Sequence, residues 1–215
     1  MSVFSKTHIL PTCRERFITD IYARADEAVA CTLERLRTES GIRPTCALGC
    51  DHCCRQHILT NPVEVHALGQ FVRRQWPAER VAALQLRTRR WHAWENAARL
   101  GAGPSSAAAA LDGGSGYDHC CPLLVDGACS AYPVRPLTCR THFVHTPAEA
   151  CRASNDPHSG TAPPAVIAAL VNAARPFAAA VKDYIEQDGV DFSRSILLLP
   201  HGLAIEMDWD FAIRS

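Results

Sequence analysis

The sequence predicts a mainly α-helical chain that carries one small β-hairpin. Three observations lead there. Apolar residues recur at helical spacing in several separate stretches, and a strong hairpin dipeptide, Asp126-Gly127, stands between two short apolar runs. Neither an internal repeat nor a series of βα units interrupts them.

The elements follow in order. From Arg14 to about Thr38, Phe17, Ile21, Ala25, Ala28, Val29, Leu33 and Leu36 mark one face of a helix. Thr12 is placed to cap it, and Gly41 with Pro44 to end it. Asn61-Pro62 reads as an N-cap followed by proline at the first helical position, opening a helix to about Gln75. Pro77 opens another, Ala78 to Leu100, with Val81, Leu84, Trp91, Trp94 and Ala98 directed inward. Gly101 to Gly116 is a run of Gly, Ala, Ser and Pro and reads as a flexible loop. Leu123 to Val125 and Ala128 to Tyr132 then flank the Asp-Gly turn. Pro164 to about Gln187 is again helical, through Val166, Ile167, Leu170, Val171, Ala174, Phe177, Val181 and Ile185, with Pro176 expected to kink it. Ser195 to Phe211 is expected as a short helix or strand that packs its Ile-Leu-Leu-Leu run on the rest. The chain thus divides into an N-terminal helix (1–45), a cysteine-rich region (46–158) with helices 61–100 and the loop 101–116 inserted, and a C-terminal helical segment (159–215) on the same domain.

Composition narrows the function classes. A length of 215 residues suits one domain, or one domain with a helical extension. Lys+Arg and Asp+Glu are 22 each, so no net charge draws the chain to nucleic acid or anionic lipid, and neither DNA nor membrane is expected as a partner. The 47% hydrophobic content is enough to build a core, yet no run of about 18 apolar residues reads as a membrane span. The opening residues lack the apolar run of a secretory signal, so a cytoplasmic setting with reduced thiols is expected. Phosphate-cradling, dinucleotide-binding, nucleophile-elbow and His-Glu-x-x-His motifs are absent, and Gly113-Gly114-Ser115-Gly116 does not sit between a strand and a helix.

Cysteine is the outlier, at 11 residues, an odd number for a fully paired disulfide scheme. Eight fall in two blocks: Cys46, Cys50, Cys53 and Cys54, then Cys121, Cys129, Cys139 and Cys151. On a helix the first four would share roughly one face. In the second block the hairpin brings Cys121 and Cys129 to one end of its ladder, and Pro133 and Pro136 stiffen the path to Cys139. Thiols gathered round a cation lose their protons and become ligands. Eight suit two four-thiolate sites, or one cluster with extra ligands. Residues 117–158 are poor in core formers, and a metal held there would contribute on the order of 10 kcal/mol to folding. The expected fold is therefore a metal-stapled helical domain. Disulfides are the main competing use. Cys13 and Cys31, away from the blocks, read as small hydrophobes, and spacing does not rank Cys120.

Together, Cys46, Cys50, Cys53-Cys54, Cys121-Pro122-Leu123, Gly127, Cys129, Tyr132, Arg135-Pro136 and Cys139-Arg140 resemble the YkgJ-type cysteine-cluster family, a group described as zinc- or iron-chelating. The resemblance covers about residues 46 to 151. That family usually opens Cys-x2-Cys-x2-Cys-Cys; here the first gap is three, a departure that falls on Cys46. A related module in flagellin lysine methylases implies an iron–sulfur cluster.

Cys46-x3-Cys50-x2-Cys53 also has the spacing with which radical-SAM enzymes hold a [4Fe–4S] cluster, although no βα repeats follow to build their barrel. An all-thiolate site suits iron–sulfur or zinc; the former is favoured, with mononuclear or dinuclear iron third. His52, His57, His119, His142 and His145 flank the blocks and are more often surface or satisfied histidines than ligands; His142 is the best placed. Arg135 and Arg140 can donate hydrogen bonds to cluster sulfurs, or equally form structural salt bridges. Tyr132 can simply pack on the hairpin. Residues 73–99 carry seven Arg against two Glu, which reads as a solvated face before it reads as a docking site for an acidic partner or RNA. The expected function is metal binding, in which the metal or cluster organises the fold and is sensed, stored or delivered. The alternative is a metal-dependent enzyme of redox or methyl-transfer type. A protein partner is left open.

Overall fold

The computed structural model describes residues 11–47, 49–99, 120–155, 161–162 and 164–211, with the backbone alone for 11–13 and 97–99. The expected loop 101–116, His119 and the side chains of Cys13 and Ala98 lie outside the described residues.

Helix α1 spans Pro11–Ser40, so Thr12 falls inside the first turn rather than before it. Gly41 ends the helix by turning left-handed at φ +66°, and the Ile42 amide folds back onto the Leu36 carbonyl at 3.1 Å. Asn61 caps α2 (Pro62–Gln75): its side chain accepts from the amides of Val63 and Glu64, and proline occupies the first turn, where no amide is needed. Helix α3 (Ala78–Arg99) follows after Pro77. It turns Leu84, Thr88, Trp91, His92 and Glu95 inward, so its buried stripe holds polar residues where apolar ones are expected. Strands β2 (Leu124–Val125) and β3 (Ala128–Cys129) pair antiparallel across a turn in which Asp126 and Gly127 both have positive φ, 50° and 74°.

A 3-10 turn at Tyr132–Val134 leads to two short helices, α4 (Leu137–Thr141) and α5 (Ala148–Ser154). Helix α6 is Ala168–Gln187 and contains Pro176. It begins later than Pro164 because the chain before it is extended: Val166 bridges Val144, and the Ile167 amide donates to the Phe143 carbonyl at 2.8 Å. After α7 (Phe192–Ser195), the Ile-Leu-Leu-Leu run divides into strand β4 (Leu197–Leu198) and helix α8 (Leu199–Glu206). Strand β4 pairs antiparallel with β1 (Leu59–Thr60), a second small ladder beside the expected hairpin. The class is mainly α, as the periodicity predicts.

The first cysteine block departs from expectation. Among the described residues, Cys46, Ala47 and Gly49 to Asp51 carry no helix or strand, and a single 3-10 turn, His52–Arg55, follows. Gly49 at φ +87° explains it, since an α-helix needs φ near −63° and the left-handed residue breaks the run. Cys46, Cys50, Cys53 and Cys54 therefore do not lie along one helix face.

Helix α2 stands between two apolar clusters. Leu68 and Val72 join Leu84 and Trp76 with Leu123, Leu199, Leu203 and Trp209. Val63 and Ala67 join Ile18, Ile21 and Tyr22 of α1 with Leu137, Val181 and Ile185. A third cluster, Val29, Ile167 and Leu170, closes the far end of α1 on α6. The cysteine segments lie where the hairpin and α4 meet these clusters: Cys121 and Cys129 pack on the first, and α4 contributes Leu137 to the second.

Candidate metal centre

The two cysteine blocks, far apart in sequence, meet through backbone. The Cys121 amide donates to the Cys54 carbonyl at 2.7 Å, joining the 3-10 turn to the hairpin. The Leu124 amide donates to the Cys121 carbonyl at 2.9 Å, while Cys129 faces Leu124 across the ladder. On the other side, the Thr45 amide donates to the Val144 carbonyl at 3.0 Å, and the Val144 amide points at the Cys46 sulfur at 3.5 Å. Helix α5, which carries Cys151, packs against the 3-10 turn, and Asn155 Nδ2 donates to the His52 carbonyl at 2.9 Å.

All eight predicted thiols fall within this arrangement, and none forms a disulfide. They act on one another electrostatically. Burial pushes the Cys121 thiol up to about 12, and Cys129 and Cys53 push it the same way. Cys139 is raised well above the ordinary thiol value by burial and then by Cys121, Cys53 and Cys129. Cys46 and Cys151 are raised by burial and then by neighbouring thiols of the first block. The Cys53–Cys54 pair shares a hydrogen bond that favours the thiolate on Cys53 and holds the proton on Cys54. Cys129 is raised by burial, but Arg135 pulls it back down. Among the described residues, no three His, Cys, Asp or Glu side chains stand in metal-holding geometry as they are placed.

The arginines divide. Arg135 stacks over the Tyr132 ring at 3.7 Å, donates to the Tyr132 carbonyl at 3.1 Å and lies 3.7 Å from the Asp26 carboxylate, a structural ion pair, while its charge also favours the Cys129 thiolate. Tyr132 thus gives the Arg135 guanidinium a platform. Arg140 is buried, and its recorded hydrogen bonds go to oxygen: the Asp26 carboxylate, the Pro133 carbonyl, and the Arg135 carbonyl at 2.9 Å. Its guanidinium also lies 4.0 Å from the centre of the Tyr22 ring. This is the structural ion pair rather than the sulfur-directed role.

Histidines are scattered. His57 meets Trp91 and Trp94 edge-on at about 6 Å, and His52 lies 3.8 Å from Asp51. His142 follows α4, and burial lowers its pKa. Cys31 is exposed on α1, not packed as a small hydrophobe. The arginine-rich face is not simply solvated: Arg87 donates to the Pro122 carbonyl at 2.7 Å and Arg80 to the Ser130 carbonyl at 3.3 Å. Both steady the hairpin that carries Cys121 and Cys129.

Sequence reasoning missed Glu64. This buried carboxylate accepts the Leu137 amide at 2.7 Å and Asn61 Nδ2 at 2.7 Å, tying the start of α2 to the start of α4 and so to Cys139. The signal was present, since Asn61-x-x-Glu64 is a capping-box spacing. A buried pair beyond the cysteines, His201 Nε2 with Glu95, was also missed; His92 stands beside it with ring centres 4.4 Å apart. Compared with known protein families, curated proteins and solved structures, the chain finds no match in any of the three.

Proposed function

We propose that the chain is a metal-binding cysteine-cluster protein in which Cys46, Cys50, Cys53, Cys54, Cys121, Cys129, Cys139 and Cys151 ligate metal as thiolates. The observation that carries this reading is the meeting of the two cysteine blocks through the Cys121–Cys54 amide–carbonyl bond, with six of the thiols raised by neighbouring thiols as well as by burial. Thiols that raise one another are unfavourable to ionise together, and a cation removes that opposition. The donor set, all thiols, fits a thiophilic metal. An iron–sulfur cluster is the preferred occupant, zinc the next, and mononuclear or dinuclear iron the third. The metal, when bound, supplies cross-linking of the cysteine segments, and with iron–sulfur also a redox couple. Arg135 offsets negative charge at Cys129, and Glu64 positions the helix that carries Cys139. Metal that organises the fold, and is sensed, stored or delivered, is the role these residues support. A reducing compartment, the cytoplasm, follows from thiols kept available as ligands. The resemblance of the cysteine pattern to the YkgJ-type family points the same way, on spacing alone. Among the described residues no helix is long and apolar enough to cross a membrane.

Anaerobic purification, with metal and acid-labile sulfide analysis and a visible spectrum on one sample, tests the proposal. A brown protein with iron, sulfide and a broad band near ~400 nm is the expected result. Zinc in a colourless protein keeps the metal reading and replaces the cluster. Metal-free protein with paired cysteines overturns it.

A further inference from the structure

We propose that His92, with the His201–Glu95 pair beside it, is an acid-sensitive latch: while neutral it holds α8 against α3, and its protonation frees α8 and loosens the hairpin packed on both. The latch stands on the α3–α8 interface and does not depend on the metal-binding reading.

Three ionisable side chains meet in that interface. His92 and Glu95 of α3 are each 5% exposed, and His201 of α8 is 8% exposed. His92 Nε2 lies 3.3 Å from the Pro200 carbonyl at the start of α8; a carbonyl only accepts, so the ring carries its proton there. His201 Nε2 donates to the Glu95 carboxylate, and His201 Nδ1 is buried without a partner among the described residues. The two imidazoles meet edge to face with centres 4.4 Å apart, and the rings of Trp91 and Phe211 stand 5.7 and 5.4 Å from His92.

Both bonds between the helices need only the Nε2 proton of a neutral imidazole. A second proton finds no support. On His201 it would fall on the orphaned Nδ1, and on His92 it would place a cation against a ring whose carboxylate partner is already engaged. Burial, and then His201, hold the His92 pKa below the ordinary histidine value, with the Pro200 carbonyl and Glu95 pulling it back. The sign follows. Below about pH 6.5 the open form takes a proton that the closed form refuses, so opening grows about tenfold for each unit of pH lost, until closed His92 itself titrates.

Other ionisable groups border these helices. On α3, Arg87 is bonded to the Pro122 carbonyl, Arg89 reaches Asp210 at 4.0 Å, and Arg90 lies two residues before His92. His57 meets Trp91 and Trp94 edge-on. Where α8 packs on α2, His66 lies 3.3 Å from Glu206, which also pairs with Arg73. The effect reaches the hairpin because Leu84 of α3, Leu199 and Leu203 of α8 and Leu123 share one buried cluster, on which Cys121 and Cys129 pack.

The test is hydrogen exchange of the full chain, purified anaerobically, at steps between about pH 7.5 and about pH 5.5, corrected for the intrinsic effect of pH on amide exchange, with metal content measured in each sample. Amides of 199–206 and 124–130 should open about tenfold more for each unit of pH lost below about 6.5. His92→Gln keeps a donor for the Pro200 carbonyl but takes no charge, and should remove this slope at equal metal content. His66→Gln, on the α2 side, should keep it. Imidazole NMR of the wild-type chain gives a readout free of any substitution: protonation of His92 and loss of protection in α8 should advance together. A flat wild-type profile, a slope that survives His92→Gln or vanishes in His66→Gln, or a protonated His92 under a protected α8 overturns the latch.

Discussion

Glu64 shows how much one side chain decides. Its carboxyl is buried, and burial lifts its pKa to about 7 against the pull of its hydrogen bonds from Leu137, Thr60 and Asn61. The sign follows from linkage. A carboxyl that titrates near 7 when folded and near 4.5 when unfolded contributes stability that is fully present below about pH 4.5. That contribution disappears as pH rises through about 7, because the folded state must then hold a buried charge. Replacing Glu64 with alanine leaves the Leu137 amide without its acceptor, a loss of about 2 kcal/mol. The penalty should be larger at pH 5 than at pH 8, read as the difference between wild-type and Glu64→Ala urea unfolding at each pH. An equal penalty at both would show that the carboxyl does not titrate in this range. The charge pattern concealed this residue because Glu64 reads as an ordinary first-turn acid; only its partner on α4, distant in sequence, makes it a tie. Asp26 is hidden in the same way: it looks like a surface acid on α1 until Arg140 is found bonded to it from α4.

Among the elements, legibility follows the range of the interaction that builds each one. Asp126-Gly127 sets two positive φ values by itself, so the hairpin can be placed from four or five residues. Asn61-Pro62 likewise places the start of α2. Strand β4 cannot be placed this way, since its partner β1 lies across most of the chain and the Ile-Leu-Leu-Leu run is apolar enough for helix or strand. The cysteine block is the instructive error: a 4-and-3 spacing suggested a helix, yet Gly49 stands inside it in a left-handed conformation. The packing of α8 on α2 gives a test at this scale. A Cβ on Gly202 would lie 2.7 Å from Val65 Cγ2, and Val65 is buried and β-branched, with one stiff side-chain torsion. Gly202→Ala should therefore cost about 1–3 kcal/mol through overpacking, measured as a lower urea midpoint. A change below about 0.5 kcal/mol would show that α8 slides on α2 without consequence.

Across the whole molecule, apolar burial and metal divide the work. Helices α1, α2, α6 and α8 supply most of the buried apolar side chains, and the buried members of their clusters include no cysteine. Residues 120–155 bury few large apolar side chains, chiefly Leu123, Leu137 and Val144. Arg87, Arg80, Arg140 and Glu64 hold this segment by polar bonds to its backbone, which position it but stabilise modestly. That the cysteines would converge was legible from their number and the scarcity of core formers around them. How each thiol is anchored was not, because the Cys121–Cys54 amide–carbonyl bond joins segments distant in sequence. If metal staples this segment, removing it should loosen the molecule unevenly. Hydrogen exchange of the metal-loaded chain, compared with the chain stripped by chelator under reducing conditions, should show protection falling across 46–55 and 120–155. Protection in α1 and α6, whose mutual packing contains no ligand, should stay close to its original level. Uniform loss along the chain would mean that metal and helical core fold as one unit. Unchanged exchange in 120–155 would mean that the arginine and glutamate bonds hold the segment without metal.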